Sequence, residues 1–260
     1  MSLDRRLAGV LLHPTSLPGR FGIGDLGPEC YRFLDWMRDA GLAYWQVLPL
    51  GPTSYGDSPY QCFSAFAGNP MLVSPEELVR DEFLVPFDIT PPGGIDNSKV
   101  DFGPLIQWKT VVLRRAFASF SANKKHPQAK AFAAFQKRKE IATWLEDYAL
   151  FRVCKDLHDG RAWGEWQPPL RKRDAKALEK VRKENADNIE FHKFCQFLFF
   201  LQWDRVREAA KLRDITIIGD APIYVAYDSA DTWAHQDLFD LDKNGQPTAV
   251  AGVPPDYFSS

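Results

Sequence analysis

Three short apolar segments in this chain have the pattern of parallel β-strands. Residues 8–13 and 44–50 each run into a stretch rich in proline and glycine, which cannot continue a strand. Residues 215–218 are four β-branched residues after a charged, helix-like stretch, which is the pattern of a strand buried in a parallel sheet. Between the first two segments, Pro28 suits the first turn of a helix and Gly41 suits its C-cap. A strand, a helix and a strand with short connections predict a right-handed βαβ unit.

The middle of the chain differs from the strand-like segments in composition and in hydrophobic pattern. Residues 83–98 are rich in proline and glycine and are typical of a linker. Three stretches, 109–120, 129–154 and 189–213, carry apolar residues three to four positions apart with lysine and arginine outside, which predicts that residues 102–214 are mostly helical. Acids interrupt the bases of the most charged stretch, 171–183, so we interpret it as a solvated helix face. The pattern predicts a helical insertion between the second and third strands.

Asp220 directly follows the third predicted strand, in a Gly-Asp-X-Pro turn. The carboxyl ends of parallel strands are where α/β folds place their chemistry. Asp also caps turns through local hydrogen bonds, so the segment alone leaves both interpretations open. Beyond it, residues 229–235 predict a short helix and residues 238–247 a hairpin that turns at Asn244 and Gly245.

Composition excludes several classes of protein. The 260 residues include 32 Lys and Arg against 34 Asp and Glu, a formal net charge of −2, which argues against a nucleic-acid partner. The amino terminus lacks the apolar core of a secretory signal, and no apolar run approaches the roughly 20 residues of a membrane span. We therefore expect a soluble, cytoplasmic protein without a membrane partner.

The four cysteines are widely scattered and form no C-x-x-C pair. Cys154 with His158, and His192 with Cys195, each stand about one helical turn apart. Such pairs are compatible with a zinc site, but helix packing is the simpler interpretation. We expect four reduced thiols and no metal or organic cofactor.

Six segments spread from residue 13 to residue 258 carry a family resemblance. In chain order they are HPTSLPG (13–19), WQVLPLGPT (45–53), YGDSPY (55–60), SAFAGNP (64–70), GDAPIYV (219–225) and AGVPPDYF (251–258). Together they resemble the bacterial 4-α-glucanotransferases, also called amylomaltases or disproportionating enzymes.

The resemblance implies an α/β fold, the (β/α)₈ TIM barrel of the α-amylase clan with helical insertions, of which this chain holds only the first strands. Residues 1–80 then form the first two barrel strands and their loops, residues 81–195 a helical insertion subdomain, and residues 196–260 the third strand and an acceptor-side loop. The family's nucleophile belongs to an Arg-X-Asp-His type motif, which this sequence lacks. We therefore expect no catalytic residue in this chain, and the nucleophile and acid/base beyond Ser260.

The implied activity is transfer of α-1,4-glucan segments between maltodextrins by a retaining double displacement, with maltose, maltodextrins and starch as substrates. This 260-residue chain, as the amino-terminal half of such an enzyme, is expected to be inactive alone. The alternatives are a non-catalytic glucan-binding fragment and a glycoside hydrolase of the same clan.

The resemblance also assigns substrate-binding residues. Asp220 matches a strand-end carboxylate that binds the sugar being cleaved, and Tyr60 matches a tyrosine that stacks on that sugar. Tyr55 matches a position on a second glucan-binding surface, with plain surface exposure as its alternative. Asp57 and Ser58 are loop hydrogen-bonding residues that alternatively serve only their own turn.

Residues 252–258 match a flexible flap over the acceptor side. Asp256, Tyr257 and Phe258 belong to it, and the two aromatic residues would shield the covalent intermediate from water. The alternative is a Pro-Pro turn with aromatic anchors.

Overall fold

The computed structural model describes residues 6–91, 93 and 99–249. Its strands, β1 (Gly9–Leu11), β2 (Tyr44–Gln46) and β3 (Thr216–Ile218), form one parallel sheet in that order. In register, Trp45 of β2 lies between Val10 of β1 and Ile217 of β3. Helix α1 (Pro28–Asp39) connects β1 to β2, and Gly41 follows it with a φ of 71°, a conformation that glycine adopts without strain. The predicted βαβ unit is confirmed.

The remaining described structure is mainly helical. The helices are α2 (Pro75–Arg80), α3 (Phe102–Ala122), α4 (Ala129–Phe135), α5 (Lys139–Ala142), α6 (Leu145–Leu157), α7 (Pro168–Arg171), α8 (Ala175–Glu184), α9 (Ala186–Lys211) and α10 (Ala230–Ala234). Short 3₁₀ turns cover Pro14–Ser16, Tyr55–Asp57, Pro70–Leu72, Pro86–Ile89, Trp163–Glu165 and Gln236–Leu238. None of the helices in the described ranges is long and apolar enough to cross a membrane.

The stretch 129–154 is helical as predicted, and three helices, α4, α5 and α6, occupy it. The break before α6 lies at Trp144, whose ring is buried against Tyr148 and Phe200. Apolar residues continue at helical spacing through this break, so periodicity alone could not reveal it.

Helix α9 is the centre of the hydrophobic core. Phe194 on this helix contacts the rings of Phe83, Phe120 and Phe132, with centroids 5.5, 4.9 and 5.8 Å away. The indole of Trp45 is fully buried and donates a hydrogen bond to the carbonyl of Leu12 at 2.8 Å. The core thus joins the sheet to the helices, and α9 runs without interruption across the predicted domain boundary at residue 195.

Strand β3 is parallel as predicted, but the prediction that it is buried is wrong for part of it. Thr216 and Ile218 are exposed, Ile218 to 41%, and Leu11 of β1 is 57% exposed. The physical reason is that β1 and β3 each pair with β2 alone in the described part of the chain, so their outer edges and part of the sheet face remain uncovered. Apolar side chains at both edges of the sheet, Leu11 and Ile218, are therefore exposed in the described structure.

Candidate functional site

The carboxyl edge of the sheet brings together two residues that are far apart in sequence. Parallel strands end at the same edge, so the loop after β2 and the turn after β3 leave the sheet side by side. There the phenol of Tyr60 donates a hydrogen bond to Oδ2 of Asp220 at 2.8 Å, across 160 positions of sequence. Two residues selected from the sequence for substrate binding are thus in direct contact.

This contact keeps the phenol protonated. The hydrogen bond to the Asp220 carboxylate, with smaller contributions from desolvation and the charge of Asp220, raises the pKa of Tyr60 above its ordinary value. Tyr60 is 45% exposed and Asp220 is also exposed. The pair therefore offers a solute one aromatic face and one carboxylate.

The loop that carries Tyr60 is closed by backbone contacts at its base. Thr53 and Cys62 form an antiparallel bridge. The carbonyl of Gln61 accepts hydrogen bonds from the backbone N–H and the hydroxyl of Ser54, at 2.8 and 2.9 Å. Residues 54–61 are therefore held as one compact loop.

Within this loop, Tyr55 begins a 3₁₀ turn that ends at Asp57. Gly56 and Asp57 both have positive φ, 68° and 54°, and aspartate tolerates this region better than most residues. The hydroxyl of Ser58 accepts a hydrogen bond from the backbone N–H of Tyr60 at 3.3 Å, so Ser58 supports the turn that presents the tyrosine. Asp57 is exposed and lines a different cavity, so it is not part of the site formed by Tyr60 and Asp220.

Asp220 also borders a small cavity of about 170 Å³ at the strand ends. Its walls come from the segments after β2 and β3 and from one face of α9, and include Leu50, Phe66, Phe199, Trp203 and Pro222. A carboxylate beside aromatic and aliphatic walls suits a ligand with both hydroxyl groups and an apolar face.

Three predicted site residues, Asp256, Tyr257 and Phe258, lie outside the described residues. Within residues 6–91, 93 and 99–249, no group of three or more His, Cys, Asp or Glu side chains is placed to hold a metal ion.

A sequence profile described as 4-alpha-glucanotransferase matches residues 12–260 of the chain. The chain belongs to this family. The 4-alpha-glucanotransferase of Thermus thermophilus is 51% identical over 254 residues, which are 98% of this chain and 50% of the relative. The corresponding protein of Synechocystis sp. is 46% identical over 261 residues, covering 99% of this chain and 51% of the relative.

Solved structures of the glucanotransferase family agree with the fold. The amylomaltase from Streptococcus agalactiae, solved in complex with acarbose, superimposes with a TM-score of 0.93 at 38% identity, over 98% of this chain and 51% of that one. The family resemblance seen in the sequence is confirmed, and the chain spans about half the length of the curated relatives it matches.

Two glutamines of α9 anchor the loops after β2 in this chain, and sequence reasoning missed both. The amide of Gln196 accepts from the N–H of Gly68 at 2.8 Å and donates to its C=O at 2.9 Å. Gln202 makes the same pair of contacts with Ser74, at 2.7 and 3.2 Å. The available signal was polar side chains in the buried, phenylalanine-rich part of a helix, where a polar group needs a partner.

The segment after β3 is anchored by an ion pair that the sequence also did not reveal. The ammonium of Lys155 on α6 is buried and lies 2.5 Å from Oδ2 of Asp228, while it also donates to the carbonyl of Gly160 at 2.6 Å. The indole of Trp163 donates to the carbonyl of Tyr227 at 2.6 Å. The helical part of the chain therefore holds the segment that begins at Asp220.

Proposed function

We propose that this chain forms one wall of the glucan site of a 4-alpha-glucanotransferase, which moves α-1,4-glucan segments between maltodextrins. The observation that carries the proposal is the Tyr60–Asp220 contact at the carboxyl edge of the sheet in a chain of this family. The ring of Tyr60 would stack on the apolar face of a glucose unit, while the Asp220 carboxylate would accept hydrogen bonds from its hydroxyls. Maltose, maltodextrins and starch are the proposed substrates.

In this proposal Asp220 binds and orients the sugar, and two other carboxylates react. A retaining mechanism needs a nucleophile and an acid/base about 5–5.5 Å apart. The sequence has no Arg-X-Asp-His motif, so we assign both reacting groups to segments beyond residue 260. Asp256, Tyr257 and Phe258 are assigned to the acceptor side, where they would keep water from the intermediate.

The proposal includes the (β/α)₈ barrel. The uncovered edges of β1 and β3, with Leu11 and Ile218 exposed, are what the first three strands of an unclosed barrel would present. We divide the chain as its sequence suggests, with residues 81–195 as the insertion subdomain. Tyr55, Asp57 and Ser58 are assigned to the glucan-facing loop.

Saccharide binding tests the proposed site directly. Because the Streptococcus agalactiae relative is solved with acarbose, acarbose is the probe, titrated into this chain in a calorimeter. Asp220→Asn should weaken binding by about tenfold or more, since a hydrogen bond to a charged group contributes on the order of 1.5–3 kcal/mol. Tyr60→Ala should also weaken binding, because it removes the ring that is proposed to stack on the sugar. Asp39→Asn is the matched control, because Asp39 ends α1 at the opposite edge of the sheet. Equal affinity in all four proteins would refute the proposed site.

Product analysis separates transfer from the two alternatives. The chain is incubated with maltotriose, alone and together with the complementary second half of the Thermus thermophilus relative. Glucose plus longer maltodextrins indicates transfer, whereas glucose and maltose alone indicate hydrolysis. Acarbose binding without turnover in either mixture would favour the non-catalytic glucan-binding fragment.

A further inference from the structure

A second cavity, of about 430 Å³, lies between the loop after β2 and helices α3, α6 and α9. It shares no lining residue with the small cavity beside Asp220. Its volume falls in the range of small-molecule sites, and its wall combines apolar side chains with two arginines, Arg114 and Arg152. Nothing in the proposed glucan chemistry uses these two arginines.

Each arginine of this cavity lies on an aromatic ring. The guanidinium carbon of Arg114 is 3.6 Å from the ring centroid of Phe191, and that of Arg152 is 4.7 Å from the centroid of Phe63. Stacking leaves the in-plane N–H groups of a guanidinium available to a planar or tetrahedral oxyanion. The structure thus holds two rigid groups of hydrogen-bond donors against one cavity.

The donors of these arginines are only partly used. Arg114 donates to the amide oxygen of Asn188 at 2.9 Å, and Nε of Arg152 is buried without a hydrogen-bond partner among the described residues. Asp156 on the same wall accepts a hydrogen bond from His192 at 3.3 Å, and, against the opposing effect of burial, this bond and the charges of Arg152 and Arg114 lower the pKa of Asp156. A guanidinium carries five N–H donors, so each arginine retains donors for an acceptor in the cavity.

Two arginines and two aspartates line the wall, and the buried His192 and Tyr148 are uncharged near neutral pH. Burial lowers the pKa of His192 to about 4, so it is neutral near pH 7. Burial raises the pKa of Tyr148 to about 12, so its hydroxyl remains a donor. The carboxylate of Asp156 lies on the same wall as the two guanidinium charges and opposes them. The carboxylate of Asp57 also lines it, but Asp57 is exposed and water screens its charge.

We propose that this cavity binds the phosphate group of a small phosphate ester, with the guanidinium groups of Arg114 and Arg152 as its main donors. Arginine binds phosphate oxygens bidentately, and such charge-assisted hydrogen bonds are about twice as strong as neutral ones. The cavity is larger than a phosphate ion, and Met71, Ile106 and Leu113 on its wall offer apolar contacts to an organic group. The site does not depend on the proposed glucan chemistry.

The cavity borders the loop that presents Tyr60, because Thr53, Ser54 and Asp57 line it. A bound phosphate ester would therefore contact the base of this loop without touching Asp220.

Calorimetry on the same 260-residue chain tests the proposal with three probes: glucose 6-phosphate, inorganic phosphate and glucose. Glucose 6-phosphate should bind, inorganic phosphate should compete with it, and glucose should not compete. Arg152→Gln and Arg114→Gln should each raise the Kd at least about tenfold, the effect expected for losing a hydrogen bond to a charged group. Arg152→Lys keeps the charge but not the bidentate geometry, and should give an intermediate Kd.

Arg115→Gln is the matched control, because Arg115 is the exposed neighbour of Arg114 on α3 and lies outside the cavity. It removes one positive charge and should leave the Kd unchanged. Binding of inorganic phosphate as strong as that of the ester would identify a site for free phosphate by the same chemistry, and would support the assigned donors. The proposal is overturned if neither phosphate binds at millimolar concentration or if both glutamine variants bind like the wild type. Displacement of glucose 6-phosphate by glucose that persists in Arg152→Gln would also overturn it, by showing that the ester binds through its neutral sugar.

Discussion

His192 should make the stability of this chain depend on pH in a range where ordinary carboxylates are already ionised. Its side chain is buried, with the residue 9% exposed, and Nε2 lies 3.3 Å from Oδ2 of Asp156. Because a carboxylate only accepts, Nε2 carries the proton and donates it. Burial lowers the pKa of His192 to about 4, the hydrogen bond to Asp156 opposes the shift, and the charge of Arg152 adds to it.

The magnitude follows from the two pKa values. In the unfolded chain His192 titrates near its ordinary pKa of about 6.5, so between about pH 6.5 and 4 the unfolded state binds a proton that the folded state does not. The stability contributed by neutral His192 is complete above this range and is lost as the pH falls through it. From pKa values of about 6.5 and 4, the loss at about pH 5 is about 2 kcal/mol.

The assay compares urea unfolding of the wild type and His192→Gln at about pH 7.5 and about pH 5, a pH at which most ordinary carboxylates are still ionised. Glutamine does not titrate, and its amide can still donate to Asp156. All other groups are common to both proteins, so the wild type should lose about 2 kcal/mol more than the variant between the two pH values. The exposed His235 provides the control, and His235→Gln should follow the wild type. If His192→Gln retains the full pH dependence of the wild type, burial of His192 does not cause it.

Three further substitutions test buried contacts of the described structure, each measured by urea unfolding at neutral pH. Gln196→Leu should cost about 2–4 kcal/mol, because it leaves the buried N–H and C=O of Gly68 unpaired, and a cost below about 1 kcal/mol would contradict this. Gly68→Ala should cost about 1–3 kcal/mol or more, since a Cβ there would lie 1.9 Å from the ring of Phe199; wild-type stability would show that the ring moves aside freely. Lys109→Met should cost about 3–5 kcal/mol of stability, because it leaves buried Asp25 without its cation, 3.8 Å away. The double variant Lys109→Met with Asp25→Asn should recover part of this lost stability, whereas additive losses would argue against the ion pair.

Much of the local structure followed from the sequence. The strands, helix α1 and the glycine at its end were predictable because apolar spacing, Pro28 and Gly41 act within a few residues of themselves. The position of Asp220 at the end of a parallel strand followed from the same reasoning. The family was also recognisable, because its six segments keep their order along the chain.

The contacts that hold these elements were not predictable. Gln196 and Gln202 appear in sequence as ordinary interruptions of a helix, and only the packed structure shows that each binds the backbone of a loop 128 positions away. Arg114 and Arg152 likewise resemble solvated charges until helices α3 and α6 are placed beside one cavity. The break at Trp144 depends on the rings that surround it, which periodicity does not report.

The sequence by itself determined the strands and helix α1 of this protein and the residue types at its strand ends, because propensity and hydrophobic spacing are local properties. It also determined the family, because the six segments keep their order along the chain. Only the tertiary structure decided that the phenol of Tyr60 meets the carboxylate of Asp220. That contact joins residues 160 positions apart, and it exists because two parallel strands end at the same edge of one sheet.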